Sequence, residues 1–132
     1  MANNLSVKQF FLVVLFIPLS VVAEWEVVTS GYLGDVYISK DTLKKQGRYV
    51  FGWQLQNFKN PDKSGAKSRR VLNQIDCKKN HRKILYTSKH SEQMGTGIFT
   101  SSVKSYSDWS DPAPKSVEFR LIKAFCKHYK SK

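Results

Sequence analysis

A chain of 132 residues with 22 Lys and Arg against 10 Asp and Glu carries a formal charge of +12. The length holds one domain and excludes two, and the charge favours polyanions or acidic protein surfaces as partners. Two cysteines and three histidines, scattered along the chain, exclude a closed zinc site.

Residues 1–9 are polar with Lys8 as their only charge, and residues 10–17 form an unbroken apolar run. Pro18 and Ser20 loosen the chain before Val21 and Ala23, which put small residues where a signal peptidase reads. The stretch 10–23 is shorter than the ~20 residues that span a bilayer. Residues 1–23 therefore read as a secretory signal peptide cut between Ala23 and Glu24, and not as a retained anchor. Residues 24–132 form the exported domain. Lys8 leaves with the signal, so 21 bases face 10 acids in what remains.

Residues 25–29 and 35–39 read as short strands around a turn at 30–34. Residues 41–45 allow one helical turn, stopped by Gly47. The strongest strand is 49–58, where Tyr49, Phe51, Trp53 and Leu55 take every second position and Val50, Gly52, Gln54 and Gln56 the opposite side. Residues 60–65 carry a proline, a glycine and polar neighbours, and make a loop. Strands at 69–77 and 82–88 follow, joined across 78–81. Met94-Gly95-Thr96-Gly97 leads through Ile98 and Phe99 into another strand. Residues 100–115, rich in Ser, Asp and Pro, form loop with Trp109 as an anchor into the core. The chain ends in a helix capped by Ser116, with Glu118 in its first turn and Val117, Leu121, Phe125 and Tyr129 along one stripe, Ile122 and Cys126 beside it. The fold class is α+β: an antiparallel sheet with a C-terminal helix packed on one face.

Cys77 and Cys126 are an even pair in an exported chain, and the expected state is a disulfide that staples the helix to the sheet. Two free thiols are the alternative; a reactive one would need an activating base, and no Cys-x-x-Cys motif is present. Between Lys59 and Lys89 stand ten bases and two acids. Arg69, Arg70, Lys78, Lys79, Arg82 and Lys83 are the candidate partner-binding residues, clustered at the turn and along one side if the two strands pair as a hairpin. The competing explanation is charge that protects a sheet edge from aggregation. Tyr32, Tyr37 and Tyr106 are candidate stacking residues if exposed, the alternative being buried tyrosines with bonded hydroxyls.

Enzyme motifs are absent: no nucleophile elbow, no glycine-rich phosphate loop, no metal-ligand spacing. His81, His90 and His128 leave one catalytic alternative, a small basic ribonuclease-like enzyme using two imidazoles, with His81 beside Lys79 and Arg82. The ordinary reading of His81-Arg82-Lys83 is a solvated basic turn. No cofactor and no metal ligand are expected.

The landmarks resemble the surface-adhesin protein E-like domain of Gram-negative bacteria. The resemblance rests on Trp25, on Tyr37-Ile38-Ser39-Lys40-Asp41, on Val50-Phe51-Gly52-Trp53-Gln54-Leu55 and on Lys67-Ser68-Arg69-Arg70. It continues through Gln74-Ile75-Asp76-Cys77, Met94-Gly95-Thr96-Gly97 and Pro114-Lys115-Ser116 to Cys126. It implies a compact antiparallel sheet with a C-terminal helix and one disulfide, and a noncatalytic binding protein of host extracellular-matrix or plasma proteins. A lipid anchor of the kind known in this family needs a cysteine at the cleavage site. None stands there, which favours periplasmic or released protein, with an envelope protein lacking a host ligand as a further alternative.

Overall fold

The computed structural model describes residues 12–18, 24–104 and 107–130. Ala23, Tyr106 and the side chain of Tyr129 lie outside the described residues. Strands β1 (Trp25–Gly31) and β2 (Gly34–Ser39) form a hairpin turned by Tyr32-Leu33, with a bulge between Val27 and Thr29. A 3₁₀ turn at Lys40–Thr42 follows, then β3 (Lys44–Gln46). The helical turn expected at 41–45 is thus only partly formed. Lys44 and Lys45 go instead to the edge of β4 (Tyr49–Phe58), where Lys44 opposes Phe51 and Gln46 opposes Tyr49. Backbone groups at the start of β4 lie beyond the reach of β2, which covers only Gln54 to Phe58, and β3 satisfies them.

β5 (Ser68–Asp76) and β6 (His81–His90) continue the antiparallel meander, and β7 (Phe99–Val103) pairs with β6. The order is β1-β2-β4-β5-β6-β7, with β3 paired to β4. The loop expected from residue 100 therefore begins only after Val103. α1 (Val117–Lys130) starts at Ser116, whose Oγ accepts the Phe119 N–H at 3.1 Å. Leu121, Ile122, Phe125 and Cys126 are buried against Val36, Ile38, Val50 and Ile75. Val117, at 53% exposure, stands off that stripe. The Cys77–Cys126 disulfide, with Cα atoms 5.7 Å apart, ties α1 to the end of β5.

Helix α1 does not lie on the aromatic side of β4. It packs on the side of Val50 and Gly52, because an ideal Cβ on Gly52 would stand only 2.6 Å from the Phe125 ring and from the Leu43 side chain. A missing side chain makes the seat for Phe125. The other sheet face carries the aromatics: Trp53 meets Tyr86 edge-on at 5.9 Å, and Tyr49 stacks on Trp109 at 5.8 Å. Trp109 thus anchors its loop to this outer face, not to the core expected for it, and is 38% exposed. The Met94–Gly97 loop closes part of the same face. Met94 N–H donates to Asn57 Oδ1 at 2.7 Å and Gly95 N–H to Ser68 Oγ at 2.9 Å. Gly95 has φ +65 and a Cβ there would meet Arg70 Nε at 2.7 Å, so the left-handed turn and the close approach both require glycine. Under this loop Leu55, Asn57 and Ser68 are buried.

Candidate functional site

β5 and β6 pair as a hairpin, with Arg69 opposite Lys89 and Ile75 opposite Arg82. Strand alternation then deals the six candidate bases to two faces and a turn. Lys78 and Lys79 are exposed at the turn. Arg70 lies on the outer face, its guanidinium 5.5 Å from the Trp25 ring centroid. Lys83 lies there too, with Nζ 5.2 Å from the Trp109 centroid. Arg69 and Arg82 point to the helix side. The structure thus does not bring the six together along one side of the hairpin. Lys89, at the far end, pairs with Asp62 at 2.7 Å. That contact and the Ser64 hydroxyl hold the Asp62 carboxyl well below the usual carboxylate range.

Arg82 is a buried structural base. Its Nε donates to Asn73 Oδ1 at 2.7 Å and its Nη2 to Gln54 Oε1 at 2.8 Å. Its Nη1 lies 3.3 Å from Glu118 Oε1, which also accepts the Ser110 hydroxyl. Burial lowers its pKa, and Glu118 works against that shift. Arg69 donates through Nε to Gln56 Oε1 at 2.8 Å. Burial lowers its pKa as well, with no acid offsetting it. Both arginines line a cavity of about 520 Å³ between the first turns of α1, the sheet and the β1–β2 turn.

Further bases lie at the end of the sheet where β5 turns into β6. Register carries β3, with Lys44 and Lys45, to the start of β4, and Tyr49 of β4 opposite Asp76. Arg48 binds Asp76 at 2.7 Å, and Lys123 of α1 reaches Asn80 Oδ1 at 3.2 Å beside Lys78 and Lys79. Sequence reasoning missed Lys44, Lys45, Arg48 and Lys123, since they come from segments far apart in the chain. Of the aromatic candidates, Tyr32 is 87% exposed at the hairpin tip. Tyr37 is half-buried, and its hydroxyl donates to Asp35 Oδ2 at 3.5 Å.

The three histidines occupy separate places. His81 lies 3.8 Å from Asp111, His90 contacts the Ser88 hydroxyl at 2.9 Å, and His128 lies 3.3 Å from Glu26 on β1. His81 and His90 stand at opposite ends of β6, roughly 30 Å apart at strand rise, so they cannot share one scissile bond. Burial lowers the pKa of His90, and the charge of Arg70 adds to the effect. Among the described residues no group of three His, Cys, Asp or Glu side chains could hold a metal ion. No helix among them is long and apolar enough to cross a membrane.

The fold has solved counterparts. Haemophilus influenzae protein E in its crystal form II superposes with a TM-score of 0.60 at 18% identity, over 72% of this chain and 82% of that one. A second structure of Haemophilus influenzae protein E gives 0.59 at 18% identity, covering 74% and 80%. Protein E from non-typeable Haemophilus influenzae gives 0.60 at 16% identity, covering 80% and 78%. At these identities the likeness is one of fold. No curated protein sequence matches the chain. The sequence profile of the family described as surface-adhesin protein E matches residues 25–127. That profile runs from the first residue of β1 into the last turns of α1, and the chain belongs to the surface-adhesin protein E family.

Proposed function

We propose that the protein is exported with loss of residues 1–23 and acts as a noncatalytic adhesin-like binder of an acidic host extracellular-matrix or plasma protein. The family match over residues 25–127 carries the adhesin-like reading. The contact surface is the basic end of the sheet, where Lys44, Arg48, Lys78, Lys79 and Lys123 come from four segments, and the excess of 21 bases over 10 acids left after loss of the leader steers acidic partners towards it. Lys78 and Lys79 are its centre among the six candidates. Arg69 and Arg82 face the cavity, and Arg70 and Lys83 rest on tryptophans. The exposure of the apolar side chains from Leu12 to Ile17 supports their removal with the leader.

The test is capture of matrix proteins, plasma proteins and heparin by the disulfide-intact protein, compared with Lys78→Glu/Lys79→Glu/Lys123→Glu. These exposed sites can be reversed without opening the core. The expected result is slower association in the variant and weaker wild-type capture as salt rises, because exposed charges are screened beyond about 8 Å at physiological ionic strength. Capture indifferent to both would move the contact to an apolar surface. Incubation of the same preparation with RNA separates the ribonuclease alternative, which predicts cleavage lost in His81→Ala. Mass spectrometry should find Glu24 as the first residue, and intact Met1 in a membrane fraction would overturn the export reading.

A further inference from the structure

The cavity beneath the first turns of α1 has a chemistry that the adhesin reading does not use. Its walls are apolar, from Leu33, Val36, Val117 and Leu121. Its floor carries Arg69, Gln54 and Gln56 beside the Arg82–Glu118 pair. Glu118 is neutralised by Arg82. Arg69 is not neutralised: among the described residues no carboxylate lies within salt-bridge distance of it, and only its Nε is bonded, to Gln56. Burial disfavours its charge and the nearby Arg82 guanidinium feels the repulsion, so a negative group placed between strand and helix would relieve both.

Two amides complete the floor. Gln54 is 4% exposed and uses its carbonyl oxygen to accept from Arg82 and Asn73. Gln56 uses its carbonyl oxygen to accept from Arg69. Neither carboxamide NH₂ has a hydrogen-bond acceptor among the described residues. Neither nitrogen is sealed in: among the described residues the buried side-chain polar atoms left unbonded are Ser39 Oγ and Arg70 Nε, so both NH₂ groups keep access to the open space beside them. The outer N–H groups of one guanidinium and two amide NH₂ groups thus line one cavity of about 520 Å³, within the size range of small-molecule sites, which are mostly apolar with a few placed polar groups. The positive end of the 14-residue helix α1 lies at the same place and adds to the field.

We propose that this cavity binds a small amphiphilic carboxylate. Its carboxylate sits on Arg69 and the Gln54 and Gln56 amides, and its apolar body lies along Val36, Val117 and Leu121 under the β1–β2 turn. A neutral amphiphile lacks the charge to satisfy Arg69, and an inorganic anion leaves the apolar walls unfilled. The site is separate from the basic end of the sheet, so its failure and that of the adhesin reading are read in different experiments.

The test is an NMR titration of the ¹⁵N-labelled, disulfide-bonded protein purified from expressing cells, with octanoate as probe below its micellar range and octanol and acetate as controls. Saturable octanoate shifts should appear at the Arg69 Nε–H, at the Gln54 and Gln56 side-chain amides and at Leu121, with octanol and acetate at least about tenfold weaker, as loss of a charge-assisted hydrogen bond implies. Arg69→Met, which keeps the aliphatic stem, should weaken octanoate by about the same factor. Val117→Trp, at an exposed wall position, should block binding without disturbing the sheet resonances. Equal binding of octanol, octanoate binding unchanged in Arg69→Met with shifts elsewhere, or no saturable shift at these groups would each overturn the assignment.

Discussion

Gly52→Ala should destabilise this protein, against the usual sign for such a change. In an ordinary strand, replacing glycine by alanine reduces the entropy lost on folding and stabilises by roughly 0.5–1 kcal/mol. Here the added methyl would stand 2.6 Å from Phe125 Cε1 and 2.6 Å from Leu43 Cδ2. Leu43 is half-buried and can turn aside. Phe125 is 0% exposed, and the next residue of its helix is tied to β5 by the disulfide, so the ring cannot retreat without lifting α1. Overpacking costs about 1–3 kcal/mol, and with a ring that cannot retreat the upper part of that range applies, which outweighs the entropic gain and leaves a net loss of up to about 2.5 kcal/mol. Urea unfolding of the disulfide-intact protein, followed by circular dichroism, measures it as a lower midpoint at unchanged slope. A cycle with Phe125→Leu isolates the contact: the smaller side chain makes room, and the double variant should be more stable than the two single losses predict, by about 1 kcal/mol. A neutral or stabilising Gly52→Ala, or strict additivity with Phe125→Leu, would refute the idea that the missing side chain seats the helix.

Replacing Cys77 and Cys126 by serine should cost about 4 kcal/mol in the chain-entropy model for a loop of this length, and an unchanged urea midpoint would contradict it. The Asp62 carboxyl is held below its ordinary value, so its contribution is present above its unfolded value near 4 and is lost as pH falls towards its folded value. Asp62→Asn should therefore be less stable than wild type at neutral pH and converge with it in acid. A constant gap between the two stability profiles would exclude this linkage. His90 is held below its ordinary value chiefly by burial and then by Arg70, so its neutral ring stabilises the fold above about pH 6.5 and that contribution is lost as pH falls through the folded value. NMR titration should find the His90 midpoint low and raised in Arg70→Met; a midpoint unmoved by that change would remove Arg70 from the account.

The strand at 49–58 was legible because Tyr49, Phe51, Trp53 and Leu55 alternate with the other side, and a period of two says strand whatever lies above it. It does not say which side the helix will cover. That choice turns on Gly52 accepting Phe125, a contact between residues far apart in sequence. β3 was illegible for a related reason: Lys44-Lys45-Gln46 has no apolar pattern, and it is a strand only because β2 leaves the start of β4 unpaired. The helix and its partner cysteine were readable from the stripe of Leu121, Ile122, Phe125 and Cys126. The role of Arg82 was not, since a base in a basic segment looks solvent-facing. A signal was present nonetheless. Gln54 and Asn73 are polar residues among the apolar helix-side positions of β4 and β5, and buried amides in such places need a partner. The cavity floor could have been sought by asking which base would serve them.

Helix α1 follows every strand of the sheet in the chain, and it supplies half of the buried cluster and one end of the disulfide. During synthesis from the amino end, Val36, Ile38, Val50 and Ile75 therefore lack their helix partners until residues 121–126 arrive. The sheet stays an open template over that interval, with Cys77 waiting as a thiol for a partner in a segment yet to emerge. A chain truncated before α1 would expose this apolar face as a surface for proteases and chaperones.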